Sequence, residues 1–130
     1  MRKTSKSRSR SQEAGRSRFI LRHPTPGLRE TIEPDKVFFM EATGDDTSVR
    51  TRSARRLKDV RTLGELEPIL RQWGFVRTHR NYIVNPNHVR QIRLRPESRD
   101  WELKLAPPVN RVLPVSRSAL AALWAAFGEE

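Results

Sequence analysis

The 130-residue chain contains no cysteine. That excludes disulfides, thiolate nucleophiles and cysteine-based zinc sites, and it fits a reducing compartment. Histidine is scarce. His23, His79 and His88 stand at no metal-ligand spacing, while a metal site usually takes roughly three or four ligands. Neither a metal nor a cofactor is expected. No apolar run approaches the ~18 residues needed to span a bilayer, so no membrane association is expected. The basic N-terminus lacks the apolar centre of a secretory signal. Glycine-rich phosphate loops and long strand–helix–strand crossovers are missing, which removes doubly wound nucleotide-binding folds. Aromatic residues are few, and Phe38, Phe39, Trp73, Trp101, Trp124 and Phe127 lie on apolar periodicities that assign them to a core. Little remains for stacking single-stranded bases.

A catalytic constellation is also lacking. Asp45 and Asp46 are adjacent carboxylates in a turn, where neighbours point apart. Ser116 has no nucleophile elbow around it and reads as the N-cap of a following helix. His79 has no nucleophile, paired carboxylate or metal beside it, so an enzyme is not expected.

What the chain has in excess is arginine, and its placement is informative. Residues 1–18 hold seven Lys/Arg against one Glu, residues 77–117 hold nine against three acids, and residues 19–76 are nearly balanced at ten against nine. The positive charge of +11 is thus concentrated in a tail and in one stretch of the folded part, as the footprint of a polyanion would be. Residues 1–18 contain almost nothing apolar and cannot offset their ordering entropy by burial; they read as a disordered basic Ser/Arg tail ahead of one domain over 19–130.

Within that domain the pattern is one of short strands. Phe19 to His23 and Leu28 to Ile32 flank a Pro24–Gly27 turn. Val37-Phe38-Phe39-Met40 is the longest apolar run and reads as a buried strand. Gly44-Asp45-Asp46 turns the chain into the alternating Ser48 to Arg52, and Arg55 to Val60 adds another strand. Thr62-Leu63-Gly64-Glu65 has the form of a capping box, and Leu63, Leu66, Ile69, Leu70 and Trp73 recur at helical spacing up to Gly74. Pro68 conflicts with that helix and predicts bending or tightening near its start. Tyr82 to Val84, Val89 to Leu94, Trp101 to Leu105 and Arg111 to Val115 are further strands. Leu120, Leu123, Trp124 and Phe127 form the apolar stripe of a C-terminal helix.

Two segments bring arginine to the end of an apolar element. The first runs from Phe75 to Val89 and carries Arg77, His79 and Arg80 beside Asn81. The second is Leu113 to Arg117. A guanidinium can bond two acceptors of a guanine edge, or a phosphate, in one rigid geometry. Both segments point toward DNA.

These motifs resemble the LytTR family, the LytR/AgrA-type DNA-binding domain of bacterial regulators. Phe75-Val76-Arg77-Thr78-His79-Arg80-Asn81-Tyr82-Ile83-Val84-Asn85 resembles the family's F-x-R-x-H-R-S-[YF]-x-V-N signature, with Asn81 in place of Ser. Thr62-Leu63-Gly64-Glu65-Leu66 through Leu70 resembles T-L-x-E-L-x-x-x-L. Val37 to Ala42 resembles the I-x-Y-I-E-A strand, and Leu113 to Arg117 is the closing L-P-V-S-R. The resemblance implies a mainly β fold with small helices: an elongated antiparallel arrangement of about ten short strands plus a C-terminal helix. It also implies a bacterial transcriptional regulator that reads successive major grooves of duplex DNA through loops. By position, Arg80 and Arg117 are the base-contacting candidates. Asn81 adds a hydrogen bond to a base or phosphate, and Thr47 stands for the contact from the loop after the Glu-Ala strand. Arg77 and His79 either join the contact or hold the loop by internal bonds, and Asn85 completes the set. No receiver domain precedes the motifs, so a stand-alone regulator in the cytoplasm is implied, on tandem half-sites. Its control would lie in expression level, dimer formation on DNA or an inhibitory or signalling partner protein. The competing reading is a non-specific nucleic-acid-binding basic protein, which the Ser/Arg tail favours. A third assigns the Trp124–Phe127 stripe to docking another protein.

Overall fold

The computed structural model describes residues 18–53 and 55–129. Apart from Arg18, the tail read as disordered lies outside the described residues. Among the described residues, ten short strands form three antiparallel sheets, accompanied by two α-helices, the fold that the resemblance implies.

β1 (Phe19–Arg22) and β2 (Arg29–Ile32) pair as a separate hairpin. The central sheet has the order β5-β4-β3-β7-β6. It comprises β3 (Val37–Thr43), β4 (Asp46–Thr51), β5 (Leu57–Asp59), β6 (Val76–His79) and β7 (Tyr82–Val84). The third sheet, order β10-β9-β8, is built from β8 (Val89–Leu94), β9 (Trp101–Leu105) and β10 (Val112–Val115). The 37–40 run is continuous because β3 is covered on both faces, where alternation would be a fault. Met40 joins a core with Phe19, Leu21, Val49 and Ile83 on one side. Phe39 joins a second core with Val84, Leu103, Leu113 and Leu123 on the other.

Helix α1 (Leu63–Leu70) closes the first core with Leu63, Leu66 and Leu70. Its start is the expected capping box: the Thr62 hydroxyl accepts from the Glu65 amide at 3.2 Å, and the Glu65 carboxylate accepts from the Thr62 amide at 2.9 Å. Pro68 sits inside the helix without ending it. The tightening predicted near the start occurs instead at the far end, where Arg71–Trp73 form a 3-10 turn before Gly74 at φ 82°. Placed six residues into the helix, Pro68 deprives only the Gly64 carbonyl of its intrahelical partner.

Helix α2 (Leu120–Ala126) closes the second core through Leu123. Two expectations fail here. Ser116 does not cap with its side chain; a 3-10 turn, Arg117–Ala119, precedes the helix, and Ala119 donates to the Ser116 carbonyl at 2.9 Å. Phe127 lies beyond the last helical turn and is 47% exposed, so the apolar stripe is only partly core.

Candidate nucleic-acid interface

The Arg80-Asn81 pair forms the tip of the β6–β7 hairpin, and both side chains are exposed. The tip is held by atoms other than theirs. Arg77 donates from Nε to the His79 carbonyl at 3.0 Å and from Nη2 to the Arg80 carbonyl at 2.6 Å. Its Nη1 reaches Glu67 of α1 at 3.0 Å. The Asn81 amide donates to His79 Nδ1 at 3.1 Å, and the Asn81 carbonyl accepts from the Ala42 amide at 3.0 Å. The polar groups of the turn are therefore occupied, and the guanidinium of Arg80 makes no hydrogen bond or ion pair among the described residues. A pre-formed turn spares its backbone the cost of ordering when it meets a ligand.

A β-bulge connects this turn to the second motif. Arg77 faces Ile83 and His79 faces Tyr82, which leaves Thr78 as the extra residue of β6. The Thr78 carbonyl accepts from the Ser116 amide at 2.8 Å. Arg117 follows at once, exposed, with Nη2 donating to the Arg99 carbonyl at 3.0 Å. Arg99 is in the left-handed region, φ 61°, in the β8–β9 connection. Thus two motifs far apart in sequence are joined at one main-chain hydrogen bond. The third segment is beside them: Ala42, bonded to Asn81, precedes the β3–β4 hairpin whose tip is Gly44-Asp45.

Four of the seven sequence-predicted residues act internally. Thr47 is wholly buried and donates its hydroxyl to the Arg61 carbonyl at 2.7 Å. The turn has two residues, shorter than the 43–47 loop expected, because Thr43 pairs with Asp46; Thr47 is already in β4 facing inward. Asn85 is 2% exposed and donates Nδ2 to the Val37 carbonyl at 3.0 Å while accepting from the Asn87 amide. It fastens β7 to the start of β3. Neither residue has a surface to offer. Arg77 and His79 make internal bonds within the turn and are only partly exposed. His79 is half-buried against the Tyr82 ring, centroids 5.8 Å apart, and its pKa is lowered by burial and by the charges of Arg80 and Arg77. Arg80, Asn81 and Arg117 remain as exposed side chains, on two segments joined by the Thr78–Ser116 main-chain bond.

Reasoning from sequence missed Glu67, which anchors Arg77, and the Arg99 carbonyl, which anchors Arg117. No local pattern signals the first. The run Arg95 to Asp100 signals a turn near the second, but not its contact. It also missed a buried hub. Asp59, fully buried, accepts from the Arg22 amide, the Arg61 amide and two Arg61 guanidinium nitrogens, at 2.8 to 3.0 Å. Burial pushes this carboxyl up, but the Arg61 side chain and the two amides outweigh it, and its pKa falls below the ordinary value. Arg61 also donates to the Ile20 carbonyl at 2.8 Å, so the hub ties β1 to β5.

No group of His, Asp or Glu side chains suited to hold a metal exists among the described residues. The chemistry on offer is hydrogen-bond donation and positive charge. Among curated proteins no match is found. Among solved structures, the chain is similar to the LytTr DNA-binding domain of a protein from Bacillus cereus described as a methyl-accepting/DNA response regulator. The two are 26% identical, with 86% of this chain and 97% of that one covered and a TM-score of 0.66. The LytTr DNA-binding domain family matches residues 29–128, a span that includes both arginine motifs and the sheet that joins them, and the chain belongs to that family of DNA-binding domains.

Proposed function

We propose that this protein regulates transcription by binding duplex DNA sequence-specifically, with Arg80 and Arg117 reading base edges in the major groove and Asn81 assisting. The observation that carries this is the Thr78–Ser116 hydrogen bond of 2.8 Å, which fixes two exposed guanidinium-bearing turns side by side. Rigidly mounted forks discriminate bases, whereas phosphate contact needs no such mounting. Backbone charge supplies most of the affinity, and the two arginines supply the choice of site. The working setting is a bacterial cytoplasm. The operator consists of tandem half-sites, occupied by two copies of the chain, and a signalling or inhibitory protein sets its activity.

Enrichment of a random duplex pool on the full chain at about 150 mM salt tests this, because phosphate-only binding is weak there. A repeated half-site motif is the expected result. Binding that disappears as salt rises, with no motif, would replace the proposal with non-specific association, the reading that the net charge of +11 favours.

A further inference from the structure

A second concentration of arginine lies away from the reading turns, on one face of the central sheet. On β3 and β4, Phe39 faces Arg50, Glu41 faces Ser48 and Thr43 faces Asp46, so these side chains share a face. Over the Phe39 end of that face is a concavity of about 220 Å³. Arg50 lines it from β4, Arg55 and Arg56 from the β4–β5 connection, and Arg111 from the β9–β10 connection. Four guanidinium groups thus meet one carboxylate, that of Glu41.

Like charges gathered in a depression repel each other unless something of opposite sign joins them. Only Arg55 has an ion pair, with Glu30 at 3.1 Å. Arg50 donates Nε to a neighbouring carbonyl, and Arg56 makes no hydrogen bond or ion pair among the described residues. Arg111 lies 5.2 Å over the Phe39 ring, while Glu41 accepts from the Tyr82 hydroxyl at 3.3 Å. Planar, pre-oriented guanidinium groups suit a tetrahedral oxyanion. The concavity is smaller than the ~300–1,000 Å³ of a typical small-molecule cleft, so it takes a group and not a large ligand. Thr43 lines it as well, next along β3 to Ala42, whose amide donates to the Asn81 carbonyl.

We infer that the concavity bounded by Arg50, Arg56 and Arg111 is a phosphate-binding site. The phosphate has two sources, the backbone of a duplex held at the reading turns or a free phosphorylated molecule. The first rests on the proposed function; the second does not.

The test uses the full chain with inorganic pyrophosphate in calorimetry at low salt, and separately a random-sequence duplex over a salt series. The Arg50→Gln, Arg56→Gln pair is compared with Arg29→Gln, Arg90→Gln, which removes equal charge at exposed positions outside the concavity. The expected result is pyrophosphate binding weakened at least tenfold by the first pair and less than twofold by the second. A salt slope on duplex reduced by about two units, specifically in the first pair, identifies the DNA backbone as the source. An unchanged slope with lost pyrophosphate binding identifies a free phosphorylated ligand. Equal losses in both pairs, or no pyrophosphate binding by the unaltered chain, overturn the site. If the first pair does not fold, Arg56→Glu at its exposed loop position repeats the test with the same expected losses. A chain that binds pyrophosphate but no duplex would sink the proposed function while leaving this site standing.

Discussion

Arg77 donates to the main-chain carbonyl of Arg80, 2.6 Å away, so that one arginine holds the turn that presents another. The same guanidinium bonds the His79 carbonyl and the Glu67 carboxylate, so three acceptors lie around one plane. Replacing Arg77 by Lys keeps the charge but cannot serve that geometry. Arg77→Lys is expected to lose about 1–2 kcal/mol of stability, given the pair's partial exposure, and more than tenfold in affinity for an enriched site. Denaturant unfolding and binding isotherms measure both; unchanged affinity would remove Arg77 from the positioning role.

Arg80 and Arg117 should behave in the opposite manner. Their side chains are exposed, so Arg80→Ala and Arg117→Ala should each leave stability within about 0.5 kcal/mol. Each should cost ~1–3 kcal/mol on the cognate site and little on random duplex. Equal losses on both DNAs would make them phosphate contacts.

Thr47 gives a direct check on the buried assignment. Thr47→Val conserves shape and removes only the hydroxyl that bonds the Arg61 carbonyl. The expected loss of stability is about 1–3 kcal/mol, because that carbonyl is left in an apolar setting. Affinity of the folded fraction for DNA should not change; a selective loss of binding would restore Thr47 to the interface.

Asp59 should dominate the acid limb of stability. Its folded pKa is below the ordinary 3.8, so the ionised carboxyl stabilises the fold fully above that value. The contribution disappears as pH falls through the lower folded value. Asp59→Asn leaves Arg61 buried without its partner and should cost about 3–5 kcal/mol. Its stability should also respond less to acid than that of the unaltered chain. An acid profile identical in both proteins would contradict the hub.

His79 acts with the same sign, but closer to neutrality. Its pKa is lowered from the ordinary 6.5, and its Nδ1 accepts the Asn81 amide, which only the neutral ring can do. The unfolded chain therefore takes up the proton first as pH drops below 6.5, and stability declines from there toward the folded value. A titration of the His79 ring followed by NMR should have its midpoint below 6.5; a midpoint above that value would refute the arrangement.

The strands were legible because their alternation is local. Val37 to Met40 signalled a doubly covered strand, and Thr62 with Glu65 signalled a helix start, since both patterns arise within a few residues. The exposed turns that carry Arg80, Asn81 and Arg117 were legible through motifs at the ends of apolar runs. Thr47 and Asn85 misled because polarity alone does not tell an exposed contact from a buried hydrogen bond; their partners, the Arg61 and Val37 carbonyls, are set by tertiary packing. Glu67, Arg99 and the arginine concavity were invisible for the same reason. Each depends on segments brought together by the sheet order β5-β4-β3-β7-β6 and the docking of β10 on β6.

That docking gives the protein a dependence on the order of its own synthesis. The β6–β7 turn leaves the ribosome well before β10, so a nascent chain acquires Arg80 early and Arg117 last. Until Ser116 reaches Thr78 the turns that carry Arg80 and Arg117 are not yet joined. Any frameshift or proteolytic cut ahead of Leu113 would remove Leu113, Val115 and Leu123 from the second core, and with them the bond that joins the Arg80 turn to Arg117.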